Sequence, residues 1–146
     1  ITRLRKMGVS NYDISGTLAT SVSQRLVRRL CPSCAKEREF TDEEKRIRTS
    51  IGEKYNIKYD LEGKKTYDAV GCKKCNNTGY YGRIGIFEIL IINDELRTLI
   101  VDNKSSIEIK NAALKNGYLP LIIDGINKII NGTTNLQELN NKLAIY

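Results

Sequence analysis

Residues 71–90 read GCKKCNNTGYYGRIGIFEIL, and this stretch decides how the chain folds. Cys72 and Cys75 stand three positions apart, as in the tight turns that present two sulfur atoms on one side of a loop. Residues 76–79, NNTG, are typical of a turn that leads the chain away from such a pair. The β-branched residues of 82–93 predict that a strand follows this turn into the core.

A second cysteine pair, Cys31 and Cys34 in CPSC, supplies partners for the first pair. Two C-x-x-C turns that face each other form a tetrahedral set of four thiolates, which is a strong signal for zinc. The chain contains no histidine, so a mixed cysteine and histidine site is excluded. We predict a structural Zn²⁺ site, with no coordination position left for water, whose ligands are Cys31, Cys34, Cys72 and Cys75.

Other uses of four cysteines fit the sequence less well. Disulfides are uncommon in cytosolic proteins, and no signal peptide is visible at the start of this chain. A catalytic redox C-x-x-C motif does not need a second copy, and iron–sulfur clusters use other cysteine spacings. A cysteine site that has lost its metal remains a further alternative.

Upstream of the first cysteine pair, residues 11–30 predict one long helix. Its apolar positions recur every four residues, and Pro32 follows its end. On this prediction, Cys31 and Cys34 are held by the end of a helix. The apolar positions that suggest it are Ile14, Leu18, Val22, Leu26 and Leu30.

Between the cysteine pairs, residues 41–55 predict a helix that begins with a capping box formed by Thr41 and Glu44. A short strand is predicted near residues 66–70, just before the second pair. The middle of the chain is therefore a small zinc-knuckle and β region with an inserted helix.

The C-terminal third predicts four helices that form a small bundle. One follows Asn93, a second opens with a capping box formed by Ser105 and Glu108, and a third ends near Gly132. The last helix is predicted from a capping box of Thr134 and Gln137 to the end of the chain. The predicted fold class is α+β and mostly helical, with the zinc-knuckle region between a long N-terminal helix and a C-terminal helical bundle.

Composition and missing motifs limit the function of this chain. It has no G-x-x-x-x-G-K-[ST] phosphate-binding loop and no histidine base, so the chain alone is predicted to be inactive as an enzyme. No apolar run is long enough to span a membrane. The net charge of +7 leaves a zinc-ribbon nucleic-acid-binding module as an alternative, although aromatic residues are not interleaved with basic residues around the cysteines.

Three motifs in a fixed order resemble one known family. They are QRLVRRLCPSC from Gln24, GC-x-x-C-x-x-TGY-x-GR from Gly71, and G-x-T-x-x-x-E at Gly132, Thr134 and Glu138. Together they resemble the C-terminal part of the type IV pilus assembly and type II secretion ATPases. The resemblance covers nearly all 146 residues, and the stretch from about 45 to 66 diverges.

The resemblance implies that the parent protein is a hexameric cytoplasmic motor with a RecA-like domain that binds Mg-ATP. Its partners would be other motor subunits and an inner-membrane platform protein at the inner face of the cell membrane, with no nucleic acid expected. Ile1, in place of methionine, predicts that the chain is a piece of a longer polypeptide whose ATP-binding motifs lie upstream. Arg25 and Arg28 match a recurrent family segment and are weaker candidates for a phosphate or subunit contact.

The resemblance also implies a division into three segments. Residues 1–30 would hold the last helices of the RecA-like motor domain. Residues 31–92 would form the tetracysteine zinc-binding region, with its inserted helix or loop and a β-strand. Residues 93–146 would form a C-terminal helical subdomain.

Overall fold

The structure, a computed structural model, describes residues 1–59 and 62–143 and has an α+β fold. None of the described helices is both long enough and apolar enough to cross a membrane. In chain order the elements are α1 (Thr2–Lys6), α2 (Asn11–Thr17), β1 (Thr20–Leu30), β2 (Ala35–Arg38), α3 (Asp42–Tyr55), β3 (Thr66–Ala69), a 3-10 turn (Lys73–Cys75), β4 (Tyr80–Ile91), α4 (Asp94–Val101), α5 (Ser106–Lys115), α6 (Leu121–Ile130) and α7 (Leu136–Leu143).

The predicted long helix over residues 11–30 is wrong. Helix α2 begins after the cap Ser10 and ends at Thr17, and residues Thr20–Leu30 form strand β1. A spacing of four residues keeps side chains on one face of a helix, but it also keeps them on one face of a strand. The apolar repeat therefore did not distinguish the two, and the strand forms because β4 supplies its backbone partners.

Strands β1 and β4 form a long antiparallel ribbon. At one end the Ile92 N–H donates to the Ala19 carbonyl at 2.9 Å, and at the other end the Cys31 N–H donates to the Gly79 carbonyl at 2.9 Å. Strands β2 and β3 form a second, shorter antiparallel pair in which Ala35 faces Ala69. The prediction of strands near 66–70 and within 82–93 is confirmed.

The chain divides into two compact units, and the first consists of Ile1–Ser23 and Glu88–Leu119. In this unit α4 packs against α2 and α5. Apolar burial drives this packing, because each of the three helices places one face in a shared core. The buried core residues are Ile14, Ile92, Leu96, Ile100, Ile109, Ala112 and Ala113.

The second unit consists of Gln24–Phe87 and Pro120–Tyr146 and has a core of its own. Helices α6 and α7 pack against each other in it. The buried core residues are Val27, Phe40, Ile86, Leu121, Ile126, Ile129, Leu136 and Leu139.

The four helices predicted within 93–146 are present, but the prediction that they form one bundle is not confirmed. Helices α4 and α5 belong to the first unit, whereas α6 and α7 belong to the second. Residues 144–146, which the last predicted helix included, lie outside the described residues, as do residues 60–61 of the predicted middle segment.

Two of the three predicted capping boxes are confirmed, those of Thr41 with Glu44 and of Ser105 with Glu108. The box of Thr134 with Gln137 is wrong, because the Thr134 hydroxyl donates to the Arg28 carbonyl at 2.9 Å. The start of α7 is capped by Asn135 instead, whose side-chain oxygen accepts from the Glu138 N–H at 3.0 Å. A tertiary contact thus displaces the local capping pattern.

The core of the first unit can be tested with a matched pair of isoleucines. Ile100 is fully buried, whereas Ile107 is 70% exposed. We expect Ile100→Ala to lower the free energy of unfolding of this unit by about 2–5 kcal/mol, because it removes buried methyl groups and leaves a cavity. Ile107→Ala should change it by less than about 0.5 kcal/mol. Urea unfolding measures both variants, and equal losses would contradict the assigned core.

Candidate metal centre

The structure brings all four predicted ligand residues together. Their sulfur atoms lie within 4.8 Å of one another, and none forms a disulfide. The sulfur of Cys72 lies 3.9 Å from that of Cys31 and 3.7 Å from that of Cys75, and the sulfurs of Cys34 and Cys75 are 3.7 Å apart. Such a cluster could hold a metal ion, and the prediction that the two pairs converge is confirmed.

The first pair sits in the turn between β1 and β2. The carbonyl of Cys31 accepts from the N–H groups of Cys34 at 3.2 Å and Ala35 at 2.9 Å, which closes the turn over its two sulfurs. The Cys31 N–H donates to the Gly79 carbonyl, so this turn is also bonded to the second pair's loop. We call residues 31–35 the first knuckle. A strand end positions it, not the helix end that the sequence predicted.

The second pair sits in a loop between β3 and β4, and we call residues 71–79 the second knuckle. The 3-10 turn Lys73–Cys75 presents both sulfurs on the same side. It is followed by Asn76 and Asn77 in the left-handed conformation, with φ of 51° and 59°. Asparagine adopts this region more readily than most residues, and the Asn77 N–H then reaches the Cys72 carbonyl at 2.9 Å.

Two glycines allow the backbone of the second knuckle to pack closely. Gly79 has a φ of +76°, and a Cβ atom there would lie 2.6 Å from the carbonyl carbon of Ala69. Gly71 has a φ of +108°, and a Cβ atom there would lie 2.7 Å from the Asn77 carbonyl oxygen. Any larger residue at either position would be strained, and its side chain would collide with the backbone of Ala69 or Asn77. The sequence analysis placed Gly79 in a turn and assigned no role to Gly71, and it did not predict these close contacts.

The backbone of the second knuckle stabilises a thiolate at Cys75. Burial opposes ionisation, but the N–H groups of Cys72 at 3.2 Å and Gly79 at 3.3 Å donate to its sulfur, and the pKa of Cys75 is lowered to about 6. In contrast, burial raises the pKa of the Cys34 thiol to about 12, despite a backbone hydrogen bond from Gly71. Because the thiolate is the metal-binding form, the lowered pKa of Cys75 favours cation binding at this sulfur.

The sequence was compared with known proteins. The model of the family described as "Type II/IV secretion system protein" matches residues 1–141. The chain belongs to the type II/IV secretion system protein family. Its relatives include the "Type IV pilus assembly ATPase PilB" of Thermus thermophilus, 41% identical over 95% of this chain and 15% of that protein. The Myxococcus xanthus protein of the same name is 35% identical over 95% of this chain and 24% of that protein.

A further relative is the "Type II secretion system protein E" of Aeromonas hydrophila, which is 36% identical over 95% of this chain and 26% of that protein. The chain therefore spans about a quarter or less of the length of these relatives. The comparisons do not favour the alternative of a nucleic-acid-binding zinc module. They agree instead with the resemblance carried by the cysteine pairs and the glycine, threonine and glutamate motif.

In this member of the type II/IV secretion system protein family, the C-terminal motif holds Arg28. The Glu138 carboxylate is almost fully buried and accepts from the Arg28 guanidinium at 2.6 and 2.8 Å and from the Arg28 N–H at 3.0 Å. The guanidinium also lies over the Tyr80 ring, 4.0 Å from its centre. Asn135 joins the group by accepting from the Tyr80 hydroxyl at 3.1 Å. This network links β1, β4 and the start of α7.

The two arginines singled out in the sequence therefore differ. Arg28 has an intramolecular partner in Glu138, whereas the Arg25 side chain is exposed and has no hydrogen-bond or ion-pair partner among the described residues. A phosphate or subunit contact for either residue stays a prediction. Sequence reasoning did not assign roles to Tyr80 and Asn135. Tyr80 is specified by the second motif, whereas Asn135 occupies an unspecified position of the third and gave no signal.

The buried carboxylate of Glu138 makes stability depend on pH. Burial alone would raise its pKa, but the hydrogen bonds from Arg28 outweigh burial and lower the pKa below 4.5. Its contribution is therefore present above about pH 4.5 and is lost as the pH falls through the lower folded-state pKa. We expect Glu138→Gln to lower the free energy of unfolding at pH 7 by about 1.5–3 kcal/mol and to weaken the acid dependence.

The matched control for this variant is Glu53→Gln on the exposed surface of α3, which should leave both the stability and its acid dependence nearly unchanged. Chemical denaturation at pH 7 and at pH 4 measures these quantities. An E138Q variant as stable as the unchanged chain at pH 7 would contradict the network.

Two glycines with the same backbone conformation test the packing of the second knuckle. Gly79 and Gly82 have φ of +76° and +77°, but a Cβ atom at Gly82 would meet nothing within 4 Å. We expect Gly82→Ala to cost about 1–2 kcal/mol of stability from backbone strain alone. Gly79→Ala should cost more and should also weaken metal binding, because the added atom collides with Ala69. Urea unfolding measures the loss of stability, and metal competition measures the loss of metal affinity. Identical results for the two variants would refute the close contact between Gly79 and Ala69.

Proposed function

We propose that the four cysteines bind one structural Zn²⁺ ion. We further propose that the chain is the C-terminal zinc-binding segment of a hexameric cytoplasmic ATPase that powers type IV pilus assembly or type II secretion. The observation that carries the proposal is the cluster of four sulfurs within 4.8 Å, in a member of the type II/IV secretion system protein family. The segment itself would be structural and would mediate interactions.

The geometry of the cluster fits a tetrahedral zinc ion. A zinc ion with bonds of about 2.3 Å to four thiolates holds their sulfurs about 3.8 Å apart. Three of the six sulfur–sulfur separations in the cluster are 3.7, 3.7 and 3.9 Å, and all six are within 4.8 Å. Four thiolates complete the coordination, so no position is left for water and the ion would act as a crosslink.

The crosslink would tie together parts of the chain that are far apart in sequence. The two knuckles are 41 residues apart, and each joins one strand of the β2–β3 pair to one strand of the long ribbon. Structural zinc binding contributes on the order of 10 kcal/mol of apparent free energy in small peptides, and it does so only when the sites are brought together by folding. The ion would therefore stabilise the second unit.

In the parent protein, this segment would follow the RecA-like domain that binds Mg-ATP. The proposed division is residues 1–30 for the end of the motor domain, 31–92 for the zinc-binding region and 93–146 for the C-terminal subdomain. Its partners would be the neighbouring subunits and an inner-membrane platform protein on the cytoplasmic face of the membrane. The relatives that carry pilus assembly or secretion names support this assignment. Arg25, which is exposed, is the better candidate of the two arginines for a subunit or phosphate contact.

Zinc removal tests the proposal. The purified chain should contain one zinc ion, and a chelator should strip hydrogen-exchange protection from β2, β3 and both knuckles, because they lose their crosslink. Protection in α5, which belongs to the first unit, should remain. Elemental analysis and hydrogen exchange with mass spectrometry measure both results.

A matched pair of variants sharpens the test. Cys34→Ser removes one ligand and should abolish stoichiometric zinc binding, whereas Ser33→Ala, which changes the neighbouring exposed residue, should retain it. If the unchanged chain contained no zinc, or if hydrogen-exchange protection survived chelation, the proposed structural zinc would be refuted.

A further inference from the structure

We propose that peroxide converts the cysteine cluster into two disulfides that join the two knuckles, Cys31 to Cys72 and Cys34 to Cys75. The inference rests on the proposed zinc site, because it concerns what happens to the same four thiolates when an oxidant reaches them. The ion would leave, and covalent bonds would take over its place as the crosslink.

Access to the four sulfurs is uneven. Cys34 and Cys72 are partly exposed, whereas Cys31 and Cys75 are buried. Each knuckle therefore offers one cysteine that solvent can reach and one that it cannot. A small oxidant such as hydrogen peroxide attacks accessible thiolates first, so Cys34 and Cys72 are the sites of the first oxidation.

Each exposed sulfur has a buried partner within reach in the other knuckle, although Cys72 also lies 3.7 Å from Cys75 in its own knuckle. The exposed Cys72 lies 3.9 Å from the buried Cys31, and the exposed Cys34 lies 3.7 Å from the buried Cys75. Two disulfides across the knuckles, Cys31 to Cys72 and Cys34 to Cys75, would therefore include all four sulfurs, and each would join atoms that already lie close together.

Pairing inside a knuckle would also disturb the second knuckle. Cys75 is held by the N–H groups of Cys72 and Gly79, and an internal bond to Cys72 would distort that short turn. Disulfides inside C-x-x-C motifs are in general more easily reduced than disulfides with structural roles. Pairing across the knuckles is therefore the more stable oxidised form.

The chemistry balances with one peroxide for each disulfide. As a zinc ligand Cys34 would be deprotonated. This thiolate attacks peroxide, the oxygen–oxygen bond breaks, and a sulfenic acid and hydroxide form. The Cys75 thiolate then attacks the Cys34 sulfur, which forms the sulfur–sulfur bond and releases a second hydroxide. Cys72 and Cys31 react in the same way. Each disulfide removes two electrons from sulfur and places them on the peroxide oxygens, and Zn²⁺ leaves because its donors are consumed.

One trypsin digest can distinguish pairing across the knuckles from pairing within them. The first knuckle's two cysteines remain together in peptide 30–36, whereas cleavage at Lys73 and Lys74 separates those of the second knuckle into peptides 66–73 and 75–83. Pairing across the knuckles yields one species containing all three peptides. Pairing within knuckles yields peptide 30–36 with an internal bond, and peptide 66–73 joined to 75–83.

The experiment treats the zinc-loaded chain with hydrogen peroxide, follows zinc release with a chelating dye and maps the non-reduced digest by mass spectrometry. We expect zinc release together with the three-peptide species, both reversed by a thiol reductant and added zinc. The two within-knuckle products, or sulfonic acids without disulfides, would overturn the proposal. Zinc content measured before peroxide addition tests the proposed function separately, because its absence refutes the metal and not the pairing.

Double variants identify which sulfur meets which. Cys34→Ser with Cys75→Ser leaves Cys31 and Cys72, whereas Cys31→Ser with Cys34→Ser leaves Cys72 and Cys75, so that each variant keeps one partly exposed and one buried cysteine. We expect the first variant to lose its free thiols to an internal disulfide faster than the second under the same peroxide concentration. Equal rates would overturn the assigned pairing, and the unchanged chain still tests the proposal if either variant fails to fold.

Discussion

The convergence of four cysteine sulfurs is the interaction on which the second unit depends. Its two knuckles lie at the ends of strands, and a hydrogen bond from the Cys31 N–H to the Gly79 carbonyl joins them directly. Close approach of the chain at Gly71 and Gly79 makes this geometry possible. The short β2–β3 pair connects the two knuckles to each other, and isolated two-stranded pairs are only marginally stable in water.

A second set of contacts uses carboxylates to fix the ribbon to the helices that follow it. Glu138 accepts from the N–H of Arg28 on β1, and Asp124 accepts from the N–H of Phe87 on β4 at 2.9 Å. Asp124 is also paired with Lys128, one turn further along α6, at 2.6 Å. These carboxylates accept hydrogen bonds from strand N–H groups, which could otherwise pair with a strand of another chain.

The sequence predicted features whose cause is local. Among features that depend on distant contacts, it was right for the cysteine pairs, whose zinc-ligand pattern predicts that they meet, and wrong for strand β1. The cysteine spacing and the capping boxes of α3 and α5 depend on neighbouring residues, so they could be predicted. Strand β1 could not be predicted, because its apolar repeat fits one face of a helix and one face of a strand equally well. The residues of this repeat are Leu18, Val22, Leu26 and Leu30. Only pairing with β4, about 60 residues later, decides between helix and strand. The division of the C-terminal helices between two units is a tertiary outcome of the same kind.

X-ray absorption at the zinc edge tests the central claim most directly, because it reports the atoms bound to the metal in the purified chain. The account predicts a single coordination shell of four sulfurs at about 2.3 Å, with no nitrogen or oxygen. A shell with fewer than four sulfurs, or one that includes oxygen or nitrogen, would contradict it.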